Sequence, residues 1–267
     1  NDPYARSFYR LSTKRGPKII SLGRLGPFDA TTPNCVPIDF IHRPGREFLK
    51  QVAINNVIER LSQGTGMRID LRLDLAHTIL WLHILEVWGK YLGLEKDCYP
   101  VKEFGSEFME AIRQRFSQTL VLAETYEEGN KWLSPGQGRS GALQGFGMSV
   151  YNKLVYDLLR IGDLSTLRGL LFANEEFRSF IHSPAAPAHF TETHDEHHMD
   201  TAFGSRERGL TASLIAWALP GHVLLTLNQL MRTGYPEGVI PRGLPGANIG
   251  MQNTDAGIYL FGYNHPQ

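Results

Sequence analysis

Histidines dominate the residues that could do chemistry, and three places along the chain bring them into useful company. His77 shares with Trp81, Ile84 and Trp88 the i, i+4, i+7, i+11 spacing that one helix face would collect. One imidazole on a broad aromatic face can hold a flat apolar ligand and pass protons to it. It can equally be a core histidine bonded to a carbonyl or to Asp74. His83, six residues on, falls on another face and reads as structural. His222 follows Pro220-Gly221, where proline leaves a carbonyl free one turn back and glycine permits close approach. A neutral imidazole facing an apolar cleft, its other nitrogen bonded, meets the needs of a proximal heme ligand. A satisfied histidine at a helix start fits the same segment. His194-Asp195-Glu196-His197-His198 is the third place. His194 and His198 at i, i+4 could chelate a metal on a helix, although the HExxH pattern is missing and a solvated polar loop has the same composition.

The elements that must position these residues read as mainly helical. Residues 1–45 are rich in Gly and Pro and form an irregular lead-in with room for a short hairpin. Apolar periodicity then predicts helices over 47–62, 68–92, 107–124, 148–160, 164–172, 175–180 and 206–219. The last of these resumes at His222 and runs to Arg232 after the Pro220 interruption. Residues 129–147 and 234–257 read as Gly-rich loops. The stretch Thr233–Gly250 follows the His222 helix and is a candidate lid. The expectation is a single domain over 1–267, a helical bundle with its cleft between the 68–92 and 206–232 helices.

Lys+Arg and Asp+Glu both number 27, so no net charge draws the chain to nucleic acid or an anionic membrane. Its two cysteines, Cys35 and Cys98, make neither a CxxC pair nor a disulfide framework, which suits a reducing cytoplasm. No apolar run reaches membrane-spanning length, no signal-peptide pattern opens the chain, and no P-loop, dinucleotide loop or GxSxG elbow is present.

Three separated segments together resemble the tryptophan 2,3-dioxygenase superfamily of histidine-ligated, heme-dependent aromatic oxygenases. Ala76-His77-Thr78-Ile79-Leu80-Trp81-Leu82 is similar to that family's distal-histidine helix. Ser140-Gly141-Ala142-Leu143-Gln144 with Tyr151-Asn152-Lys153 resembles its Ser-Gly-Phe-Gln segment and the helix that follows. His222, then Thr233-Gly234 and a Gly-rich stretch ending at Ile258-Tyr259-Leu260, resembles its proximal histidine and substrate loop. The likeness spans residues 68–262. Lys153 stands where the family has a carboxylate-gripping Arg, and the loop is longer, which turns the resemblance toward the bacterial heme-dependent L-tyrosine hydroxylases of antibiotic pathways.

That resemblance implies a heme b (iron) enzyme converting L-tyrosine to 3,4-dihydroxyphenylalanine with hydrogen peroxide. His222 would ligate the iron, with His194 and His198 as alternatives, Trp81 would pack against the heme, and His77 would act as the distal acid–base group. Arg139, Lys153 and Asn248 would hold the amino acid, with Arg206 and Arg208 as further cations for its carboxylate. An indole-ring heme oxygenase is the alternative within that chemistry. A non-heme metal hydrolase built on His194, His197 and His198, with Asp195 or Glu196, is the alternative outside it. A helical binding protein without catalysis is a third. A cytoplasmic location and a homo-oligomer are both compatible with this reading.

Overall fold

The computed structural model describes residues 10–11, 18–19, 38–94, 100, 102–125, 138–193, 196–197 and 199–225. These are mainly helical, as the periodicity predicts, with short strands between the helices. In the lead-in, β1 (Arg10–Leu11) pairs antiparallel with β2 (Lys18–Ile19), so the short hairpin is present. By its contacts the chain divides into two compact units, residues 1–125 with 142–148 and residues 126–141 with 149–267.

In the first unit, a long rod begins with α1 (Arg43–Lys50), which has proline in its first turn, where a missing N–H does no harm. It continues through a π-helical stretch (Gln51–Glu59) and ends with α2 (Arg60–Thr65). Gly66 closes it in the left-handed conformation at φ 67°. The expected 68–92 helix is not one helix. Leu71–Leu73 is strand β3, Ala76–Ile79 is a 3-10 turn, and only Trp81–Leu92 is α-helical (α3). The cause is legible afterwards. Ile69, Leu71, Leu73 and Leu75 alternate with Asp70, Arg72 and Asp74, the period of a strand, and Leu75 then takes a left-handed φ of 47° that no helix contains.

The expected 107–124 helix divides in the same way, into α4 (Phe104–Arg115) and β4 (Val121–Ala123), which pairs parallel with β3. Helix α4 buries Phe104, Phe108 and Ile112 at i, i+4, i+8, and it carries Glu107 in its first turn and Arg113 and Arg115 in its last, matching its dipole. Phe146 lies over Gly105 so closely that a Cβ there would meet its ring at 2.3 Å. Residues 138–145, expected as loop, form helix α5 (Gly138–Gly145).

In the second unit, β5 (Ser149–Val150) precedes α6 (Lys153–Ile161), α7 (Leu164–Ala173) and α8 (Glu175–Ile181). The side chains of Asn152, Asp163 and Asn174 cap these three helices in turn. After β6 (Ala188–His189) come α9 (Met199–Ala202) and α10 (Arg206–Ala218). The chain then forms β7 (His222–Val223), parallel to β6, where a continuing helix was expected. Val155, Tyr156, Phe177, Phe180, Phe190 and Ala216 form the buried centre of this unit.

Candidate functional site

The first unit contains a cavity of about 240 Å³. Its walls come from three segments that local chemistry holds in place. Asp39 accepts backbone N–H bonds from Ile41 (3.0 Å) and His42 (3.1 Å), which folds the entry to α1 and sets Phe40 against the ring of Phe104, stacked at 4.9 Å between centroids. Glu103 reaches across 22 residues of sequence to accept the first N–H of α3, that of Trp81, at 3.1 Å. The result is a pocket with aromatic walls from Phe40, Trp81 and Phe104, edged by Arg46, Lys102 and Glu103.

Its polar balance favours an occupant that accepts hydrogen bonds. Arg46 gives Nη1 to Glu107 at 3.2 Å, while its Nε is buried with no hydrogen-bond partner among the described residues. The indole Nε1 of Trp81 is buried in the same condition. Both groups only donate, and each unmet donor destabilises the empty protein by about 1–3 kcal/mol. Both are shielded from solvent, and both belong to residues that line the cavity. Lys102 pairs with Glu110 at the rim. A cavity of about 150 Å³ holds benzene, so this one suits a single substituted ring.

The same unit holds a second polar cluster. Glu124, buried, accepts the N–H of the left-handed Leu75 at 3.0 Å and pairs with Arg72 at 2.7 Å, and Arg72 also holds Asp74 at 2.7 Å. Burial, then the hydrogen bond with Asp74, push the Glu124 carboxyl up to about 8.

The structure separates several residues that the sequence grouped. His77 is buried on the 3-10 turn, and Trp81 belongs to the next element, so the shared helix face is absent. Trp81 lines the cavity, and His77 is not among the described residues that do. His77 instead meets His83 edge to face at 5.0 Å, a pairing hidden from helical spacing because the backbone turns at Leu80 (ψ 135°). His222 is exposed on β7, its N–H bonded to the carbonyl of Pro187 at 2.8 Å, so over the described residues 222–225 the chain does not form the expected helix presenting it to an apolar cleft. Its neighbour His189 is buried. Nε2 donates to the carbonyl of Pro220 (2.9 Å) and Nδ1 faces Asn152 Nδ2 (3.4 Å), while burial lowers its pKa despite the carbonyl bond. Gly221, at φ 142°, is required here, because a Cβ would meet the Pro187 carbonyl at 2.4 Å.

Lys153 is held by Glu196 (2.8 Å) and Asp157 (3.0 Å) and lies 4.1 Å over the Tyr156 ring, so two carboxylates already match its charge. Arg139 is half-buried in α5; Arg206 and Arg208 are exposed at the start of α10. His197 is exposed, and among the described residues no three His, Cys, Asp or Glu side chains group as metal ligands. His194, His198, Asn248 and the proposed lid at 233–250 lie outside the described residues. Among the described helices, none is long and apolar enough to cross a membrane. Sequence reasoning missed Arg46, Glu103, Phe40 and Phe104. A lone Arg in a helix carries no signal, and the cap from Glu103 to Trp81 is non-local.

No protein-family model and no curated protein matches the chain. Among solved structures it is similar to cyclic α-maltosyl-(1→6)-maltose hydrolase from Arthrobacter globiformis in its ligand-free form, at 16% identity and a TM-score of 0.47 over 82% of this chain and 42% of that one. It is also similar to a cyclomaltodextrinase, at 15% identity and a TM-score of 0.44 over 82% of this chain and 32% of that one. The chain thus spans less than half the length of either protein, and a likeness of this depth fixes no activity for it. These matches fall on enzymes of another kind than the heme-dependent oxygenases the sequence resembles. His222 exposed on a strand corrects the expectation of a heme-bound tyrosine hydroxylase or indole oxygenase using peroxide, and that reading is not carried forward.

Proposed function

We propose that the first unit binds a small aromatic carboxylate in the cavity walled by Phe40, Trp81 and Phe104, with Arg46 meeting the anionic end. One observation carries this reading: flat aromatic walls converge with a guanidinium that spends one nitrogen on Glu107 and keeps a buried donor unmet. The rings supply apolar contact area, and the guanidinium fork matches a carboxylate in geometry as well as charge. Glu103 fixes Trp81 through the backbone, so the aromatic wall stands ready before the ligand arrives.

Calorimetric titration of the whole chain with phenylacetate, 4-hydroxyphenylacetate and tyrosine, beside the uncharged phenylacetamide, tests the reading. Saturable binding is expected, with the carboxylates tighter than the amide. Arg46→Met should weaken the carboxylates by about tenfold or more, the scale of a charge-assisted pair. Absence of saturable binding by any of these compounds overturns the proposal.

A further inference from the structure

Glu107 lies one turn beyond Phe104 on α4 and touches two cations of α1. One carboxylate oxygen takes Lys50 Nζ at 2.6 Å and the other takes Arg46 Nη1 at 3.2 Å. Lys50 is also held by Glu47 at 2.8 Å. The four side chains form a neutral cluster, two cations and two carboxylates, with one member, Arg46, on the cavity wall. The two bonds to Glu107 are unequal: the lysine bond is the shorter, and it ties together side chains that are only 17% and 28% exposed. Burial acts to lower the pKa of Lys50, and the bonds to Glu107 and Glu47 outweigh it and hold the ammonium above its usual range.

Resting on the binding reading above, we infer that Glu107 sets the charge selectivity of the cavity. It acts as an internal counter-ion that an anionic ligand displaces from Arg46, while Lys50 retains it. The exchange keeps every charge paired. Before binding, Arg46 faces Glu107; after binding, Arg46 faces the ligand carboxylate and Glu107 keeps Lys50. Without Lys50, release of Arg46 would leave a half-buried carboxylate unpaired, which is unfavourable. Without the charge on Glu107, Arg46 has no competitor. The two substitutions therefore act in opposite directions on an anion and leave an uncharged ligand alone, which a merely structural role for this cluster would not do.

The test measures phenylacetate and phenylacetamide binding to the full chain in wild type, Glu107→Gln and Lys50→Met. Glutamine keeps an oxygen acceptor for Arg46 and removes the charge. Phenylacetate affinity should rise by about three- to tenfold in Glu107→Gln and fall by a similar factor in Lys50→Met, the scale of one partly screened charge at short range. Phenylacetamide affinity should stay within about twofold, which also reports that each variant is folded. If wild type binds neither compound, the binding reading itself fails. If wild type binds but the two variants shift phenylacetate in the same direction, or shift both compounds alike, the counter-ion role is overturned and the cavity stands. Should one variant fail to fold, the other decides alone, because each has its own predicted sign.

Discussion

Trp81 and Arg46 show how a site can be present in a sequence without being visible in it. The indole nitrogen of Trp81 is a buried donor with no hydrogen-bond partner among the described residues, and such a group destabilises a protein until something accepts from it. Trp81→Phe keeps an aromatic wall and removes the orphan donor. It is therefore expected to leave the empty protein equally stable or up to about 1 kcal/mol more stable, while weakening carboxylate binding about threefold or more. Thermal denaturation and titration of the same variant check the two halves; a clear loss of stability would mean that the nitrogen already has a partner. Trp81 was singled out from sequence, since an aromatic close to a histidine draws attention, but for a different ligand and a face it does not share. Arg46 could not be found that way. What makes it special is a carboxylate 61 residues away that takes only one of its nitrogens.

Among elements, the second unit follows local rules closely, and that is where the sequence was most legible. Helices α7, α8 and α10 start within a residue of where their periodicity and caps place them: Asp163 accepts from Thr166, Asn174 from Phe177 and Ser205 from Arg208. The misreadings at 68–80 and 116–124 share one cause. Strands of three residues pair across some 50 positions, and the left-handed Leu75 is held by a carboxylate equally distant, so the information is tertiary. Asn152 shows what a cap is worth when it does two things. Its Oδ1 accepts from Val155 at 3.2 Å and its amide faces buried His189, whereas Asn174 caps α8 alone. Asn152→Ala is expected to destabilise by about 2–3 kcal/mol and Asn174→Ala by about 1 kcal/mol. Denaturant unfolding of both variants measures the gap, and equal losses would show that the contact with His189 contributes nothing.

For the whole molecule, the two units carry buried titrating groups whose effects on stability run in opposite directions with pH. In the first unit, the folded state holds a proton on Glu124 up to about 8, while an unfolded glutamate releases it near 4.5. Between those values the folded state binds more protons, so this contribution is complete below about 4.5 and is lost as pH rises through 8. In the second unit, burial keeps His189 neutral with its pKa below 6.5, so the unfolded chain binds the extra proton. That contribution is complete above 6.5 and is lost as pH falls through the depressed folded value. Below 6.5 the two slopes oppose each other, so stability should change little there, and above 6.5 it should fall as Glu124 acts alone. Glu124→Gln keeps an oxygen for Leu75 without the ionisation, and His189→Gln keeps an N–H for the Pro220 carbonyl. Thermal denaturation from pH 5 to 9 is expected to show the fall above 6.5 flattened in Glu124→Gln alone, and in His189→Gln a fall that already begins below 6.5. The fall above 6.5 should amount to about 2 kcal/mol, since each pH unit over which the folded state holds one extra proton is worth about 1.4 kcal/mol. If stability in Glu124→Gln does not rise with pH below 6.5, where His189 should then act alone, the two groups do not act independently. If neither variant changes the profile, the protons that govern stability sit on other residues.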